Sequence, residues 1–262
     1  MVSTAPQEVV STFLDIVELG QGRPLLFLNA GIGLDPGYVA LDLLGKYFHV
    51  IAPSHPGFAK SERPKSITTV DDLSYFYLDF LEQRDLRDVV LVGVSLGAWI
   101  AAEMAIKSSA RLSHLVMANA VGIKVGDRET RDIADIFAMT EDQFNETAFA
   151  DPLVGKKDYQ AMSDADVLIV ARNRESLARL TWSPYMHNPK LKGRLQRIRV
   201  PTLFLWGAQD RILSEQYGRS YCKAVPGAHF DMIDGAGHLP NIEQPAAFAK
   251  KIAGFVNGVA TQ

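Results

Sequence analysis

Apolar positions along the chain fall into short unbroken runs that alternate with amphipathic stretches. Runs at 25–29, 48–52 and 89–92 are largely unbroken, as expected of strands covered on both faces, and further strand signals stand at 114–118, 202–206 and 229–233. Residues 12–19 alternate apolar and polar and read as one further strand, turned back by glycines at 20 and 22. Between the runs, 36–44, 70–84, 98–107, 214–224 and 245–256 carry helical spacing. Asp71 and Asp72 stand in the first turn of the second of these, where they suit the helix dipole. Strands alternating with helices predict an α/β fold, a mostly parallel, eight-stranded-type sheet with helices on both faces.

The alternation stops at Gly122. From there to 199 the chain is polar and helical in pattern, with helices expected at 128–139, 141–149, 164–180 and 189–197. So long and periodic a segment is not a structureless loop. The expected organisation is therefore a core of 1–121 and 200–262, with 122–199 inserted as a helical cap.

One break between strand and helix carries chemistry. The run at 89–92 ends in Gly93-Val94-Ser95-Leu96-Gly97, and helical spacing starts at once. Strand, sharp turn and helix is the context that a Gly-x-Ser-x-Gly nucleophile elbow needs. The turn exposes the serine hydroxyl, the glycines allow close passage of strand and helix, and the helix N-terminus favours negative charge. The bare pattern arises by chance roughly 0.1 times in a chain of this length, so its partners decide the matter.

A serine hydroxyl needs a base to take its proton, and that base needs an orienting acid. Both are expected beyond the carboxyl ends of later strands. Asp210 follows the run at 202–206, and His238 follows the run at 229–233 on a glycine-rich approach through Gly235 and Gly237. Asp210 also has the ordinary reading of a turn residue that satisfies nearby amides. Asn119, after 114–118, occupies the other position where an acid would serve, but as an amide it cannot carry the charge. Asp231 and Asp234 lie too close to His238 in sequence to be preferred. Among the other histidines, His55 is expected near the mouth of the pocket, and His187 is weighed as facing substrate.

Composition narrows the class. A net charge of −3 over 262 residues shows no basic bias, so no nucleic-acid partner is expected. No apolar run reaches the ~20 residues that span a bilayer, and residues 1–6 lack the charged and apolar regions of a signal peptide. The single cysteine, Cys222, is read as a packing residue. No histidine pair has metal-ligand spacing, so no metal is expected. Together these features predict a cytoplasmic protein with a small-molecule substrate and no membrane partner, as a monomer or homodimer.

At this point the chain resembles the α/β-hydrolase fold family over nearly its whole length. The matching segments are Asn29-Ala30-Gly31-Ile32-Gly33, Pro56-Gly57-Phe58-Ala59-Lys60-Ser61, Gly93–Gly97, Trp206-Gly207-Ala208-Gln209-Asp210 and Gly237-His238, in family order. The resemblance implies an oxyanion hole made by the N–H groups of Leu96 and Gly31. Losing one such donor typically costs ~3 kcal/mol of barrier. Here Asn29 and Ala30 replace the family's usual His-Gly. A serine at the elbow argues against the dehalogenase and epoxide hydrolase branches, which use Asp. C–C bond hydrolases usually carry Trp after the catalytic His, where this chain has Leu239.

The resulting expectation is a cofactor-free serine hydrolase acting on a carboxylic ester or lactone, with Ser95, His238 and Asp210 as its triad. The alternatives are a C–C bond hydrolase and a small-molecule receptor that keeps the triad. Phe137, Trp182, Met186, His187 and Leu239 are the expected substrate-binding residues, with Met139, Phe144 and Tyr185 as further pocket wall.

Overall fold

Continuous apolar runs need cover on both faces, and the computed structural model supplies it by stacking helices on a central sheet. It describes residues 7–9, 12–34 and 37–258. In chain order these form β1 (Gln7–Val9), β2 (Thr12–Leu14), β3 (Ile16–Leu19), β4 (Pro24–Leu28), α1 (Val39–Leu44), β5 (His49–Pro53), α2 (Val70–Gln83), β6 (Val89–Val94), α3 (Leu96–Lys107) and β7 (Leu112–Ala118). An insertion follows, with α4 (Glu141–Ala148) and α5 (Asp164–Thr181) and short 3-10 turns at Pro152–Gly155 and Lys192–Arg197. The chain closes with β8 (Thr202–Gly207), α6 (Glu215–Lys223), β9 (His229–Ile233), α7 (Pro240–Glu243) and α8 (Pro245–Val256).

The central sheet has seven strands in the order β3-β5-β4-β6-β7-β8-β9, parallel except for the edge pair β3 and β5. The chain leaves β4 in one direction to β5 and in the other to β6. The strand order therefore reverses between β4 and β6, where open α/β sheets place their ligand crevice. Strand β6 is buried at all six positions and α3 at eleven of its twelve, which explains the absence of polar alternation there. The one acidic residue inside α3, Glu103, is 1% exposed and is satisfied by Trp99, Lys107 and Asn188.

Local polar bonding explains where the elements differ from the pattern-based expectation. The single strand expected at 12–19 is two, because the Asp15 amide donates to Ser61 Oγ and its carbonyl accepts from Ser54. Strand β2 then pairs with β1 as a separate two-stranded sheet, and the central sheet has seven strands, not eight. Helix α1 starts at Val39, three residues after the expected 36, behind a left-handed Tyr38; Pro36 and residues 1–6 lie outside the described residues. No helix forms over 128–139. Asp127 takes the amides of Glu129 and Thr130, Asp132 takes those of Val125 and Gly126, and Ile133 instead bridges to Leu213. Only Lys192–Arg197 of the expected 189–197 helix is helical, as a 3-10 turn, because Asn188 Oδ1 takes the Lys190 amide. Among the described residues, no helix is long and apolar enough to cross a membrane.

Candidate active site

Ser95 sits between β6 and α3 with φ 53° and ψ −110°, outside the regions that non-glycine residues favour. The flanking glycines make this turn possible. A Cβ on Gly97 would collide with the Leu28 carbonyl of β4, and one on Gly93 with the backbone of Gly97 and Ala98. The Ser95 amide is held by Ala118 O of the neighbouring strand at 2.9 Å. The hydroxyl is thus delivered at the carboxyl end of β6, beside the reversal of strand order.

Strands β8 and β9 bring the acid and the imidazole to the same end. His238 Nε2 lies 2.8 Å from Ser95 Oγ, and His238 Nδ1 lies 2.9 Å from Asp210 Oδ2. A carboxylate only accepts, so Nδ1 carries the proton, and in the neutral ring the Nε2 lone pair faces the serine hydroxyl. The other oxygen of Asp210 accepts from the amides of Ile212 and Leu213 at 2.8 and 3.0 Å. Both readings of Asp210 therefore apply at once, as it caps its own turn and orients the histidine. Asp231 instead pairs with Lys251 at 2.6 Å.

Three residues that sequence reasoning did not place at the site hold these groups. Asn119, left-handed at φ 42°, donates to Asp210 Oδ2 at 2.7 Å and accepts from the Gly207 amide. Glu243 accepts from Gly237 N and Ala150 N, both at 2.6 Å, and so ties the histidine loop to the insertion. Burial raises the Glu243 carboxyl above its ordinary range, and the nearby Asp210 charge adds to that. Arg211 bonds the carbonyls of Glu146 and Phe149. Position alone signalled Asn119, at the end of the next strand; Glu243 and Arg211 carry no local signature.

A cavity of about 30 Å³ lies over Ser95 and His238. Gly31 and Leu96 both line it, as do Met186 and Leu239. Leu96 is the first residue of α3, where an amide lacks an intrahelical acceptor. Phe137 lies one step out, on a larger chamber of about 670 Å³.

Two expected pocket residues line neither space. Trp182 is 64% exposed and packs its ring on Phe137, 5.8 Å between centroids. His187 is turned away because the 186–188 segment pairs with Gly122. Gly122 N donates to Met186 O and Asn188 N donates to Gly122 O, and alternation then sends Met186 inward and His187 elsewhere. The His187 ring bonds the Tyr185 carbonyl at 2.8 Å. Met139 and Tyr185 also lie off both cavities, and the Tyr185 hydroxyl is spent on the Ala134 carbonyl.

His55 is not at the pocket mouth but fully buried beneath the site. Its Nε2–H donates to the Asn29 carbonyl at 2.9 Å, and Tyr77 Oη donates to its Nδ1 at 2.7 Å. Burial depresses its pKa to about 4, against the smaller opposing effect of the Asn29 bond. Asn29 itself donates to Pro53 O, so the loop that carries Gly31 is fastened from below.

No cluster of three or more His, Cys, Asp or Glu side chains suited to a metal occurs among the described residues.

Several known proteins are similar to this chain. The 3-oxoadipate enol-lactonase 1 of Acinetobacter baylyi is 23% identical over 252 residues, covering 91% of each chain. The 2-hydroxymuconate semialdehyde hydrolase of a Pseudomonas species is 25% identical, covering 90% of this chain and 88% of the relative. Among solved structures, a thermophilic esterase from Thermogutta terrifontis superposes with a TM-score of 0.74 at 21% identity, over 100% and 99% of the two chains. The sequence profile described as the alpha/beta hydrolase family matches residues 25–251, and the chain belongs to that family.

Proposed function

We propose that the protein is a serine hydrolase that cleaves a carboxylic ester or lactone through an acyl-enzyme. The observation that carries this reading is the continuous relay from Asp210 through His238 to Ser95, with bonds of 2.9 and 2.8 Å. Ser95 Oγ attacks the carbonyl carbon while His238 Nε2 takes its proton. The amides of Gly31 and Leu96 receive the oxyanion. His238 then donates that proton to the departing alkoxide and activates water for deacylation. Asp210 keeps the imidazole in the required tautomer and stabilises the imidazolium. Met186 and Leu239 form apolar wall beside the reacting carbon. No cofactor enters this scheme, and the partner is a small molecule.

A second reading is hydrolysis of a C–C bond in a vinylogous diketone, favoured by the similarity to the 2-hydroxymuconate semialdehyde hydrolase. Against it, Leu239 stands after the histidine and lines the site with an alkyl side chain.

The deciding experiment follows acid release from methyl esters of increasing acyl length and from γ- and δ-lactones, by the native protein and by Ser95→Ala. Turnover that disappears in Ser95→Ala supports the ester reading. Inactivity on every ester and lactone, with turnover of a diketone, replaces it by the second reading. Equal activity in both proteins removes Ser95 as the nucleophile.

A further inference from the structure

The shape of the space around Ser95 is uneven in a way that bears on substrate. The cavity over the serine holds about 30 Å³. A water needs roughly 10–15 Å³ by the same measure, and a buried site that binds benzene holds about 150 Å³. A ring therefore does not fit against the serine. Beyond it lies the chamber of about 670 Å³, several times the benzene volume. The linings of the two spaces share Gly31, Ile32, Ile136, Phe144 and Leu177, so these five residues form the boundary between them.

The boundary is built into the fold. A Cβ on Gly31 would stand 2.6 Å from Leu177 Cδ1, so α5 presses directly on the loop that carries the proposed oxyanion donor. Helix α5 is pinned there by buried polar side chains. Asn173 donates to Ile32 O at 3.0 Å and accepts from Ala59 N at 2.7 Å, and Ser176 donates to Gly57 O at 2.6 Å. Arg172 adds a bond to Ser61 O at 2.6 Å. On the opposite side, Phe144 belongs to α4, whose end is clamped by Arg211 and, just beyond, by Glu243. The far end of the chamber carries Lys157, Asp158, Asp166 and Arg174, all exposed, so it opens to solvent there.

We infer that the site takes an ester bearing one small substituent and, on its other side, an unbranched apolar spacer that crosses the boundary between Leu177 and Phe144 to a bulky group in the chamber. This deepens the ester half of the reading above, excludes its lactone half, and rests on it. Esters with a ring or a branch directly at the ester group are excluded by Leu177 and Phe144, which set specificity without touching the reacting proton.

The test compares kcat/KM for methyl 4-phenylbutanoate against methyl benzoate, and for 3-phenylpropyl acetate against cyclohexyl acetate. Native protein, Leu177→Ala and Phe144→Ala are measured, with acid release as the readout. Intrinsic reactivity cancels when the preference within a pair is compared between proteins. The native protein is expected to prefer the spaced member of at least one pair, and either variant to reduce that preference at least ~10-fold by gaining on the hindered member. Phe144 is only partly buried, so its variant keeps the test intact if Leu177→Ala fails to fold. Preferences unchanged in both folded variants, or no preference in the native protein, overturn the inference and leave the ester reading standing. Inactivity on all four esters overturns the inference alone if the methyl esters or lactones of the previous experiment are turned over, and overturns both readings if they are not.

Discussion

Asn119 Nδ2 donates to Asp210 Oδ2 at 2.7 Å, the same oxygen that receives His238 Nδ1. The amide therefore fixes where the carboxylate points its histidine-facing lone pairs. Asn119→Asp keeps a side chain that tolerates the left-handed backbone but exchanges the donor for a like charge. The expected outcome is a fall in kcat of ~10-fold or more with little change in KM, and an acid limb of the pH–rate profile shifted to higher pH, because added negative charge favours the imidazolium. A profile and kcat equal to those of the native protein would show that Asn119 does not position the acid.

Ser95 at φ 53°, ψ −110° stores backbone strain, typically ~1–3 kcal/mol at such sites. Ser95→Ala and Ser95→Gly both remove the hydroxyl, and kcat should fall at least ~10⁴-fold in each. Only glycine relieves the strain. Ser95→Gly is thus expected to melt ~2–4 °C above Ser95→Ala, for a gain near ~1 kcal/mol in a domain of this size. Coincident melting curves would count against strain at the elbow.

The depressed pKa of His55, about 4, makes stability pH-dependent. The folded protein keeps the imidazole neutral while the unfolded chain binds a proton below about 6.5, so the unfolded state holds more protons between those values. Stability is complete above this window and is lost as pH falls through it, on the order of 3 kcal/mol in total. Urea unfolding at pH 7, 6 and 5 should show this loss in the native protein and a distinctly shallower one in His55→Gln. Parallel slopes would assign the acid sensitivity to other groups.

Glu243 joins two segments that no strand connects, Gly237 beside the histidine and Ala150 in the insertion. Glu243→Ala leaves both amides unpaired, at ~1–3 kcal/mol for each that stays buried. The variant should lose ~2–4 kcal/mol of stability by chemical denaturation, and kcat should fall more than KM rises as the His238 turn loosens. Unchanged stability would mean that water replaces the carboxylate at both amides.

The sheet and its helices were legible because burial on both faces leaves continuous apolar runs, as at Val89–Val94, and because Asp71 and Asp72 mark the first turn of α2. Ser95, Asp210 and His238 were each legible one at a time, since each follows a strand at the end where such sheets gather reactive groups. The missing helix over 128–139 was not legible. Asp127 and Asp132 turn that segment by taking backbone amides, and a hydrophobic pattern does not register such competition.

The pocket divides the two kinds of information. Composition and periodicity identified a polar helical segment rich in large apolar side chains, but not which of them meets the serine. Met186 does and its neighbour His187 does not, because Gly122 pairs with the backbone on either side. Trp182, just past the end of α5, stays exposed while Leu177 inside that helix closes on Gly31. The residue order along the chain by itself determined the fold class and the three side chains at strand ends, since both follow from local period and turn chemistry. Only the tertiary structure decided that these side chains lie within hydrogen-bonding distance, and how narrow the space around them is. The Ser95–His238 bond and the closure of Leu177 on Gly31 join residues more than a hundred positions apart, which no local pattern encodes.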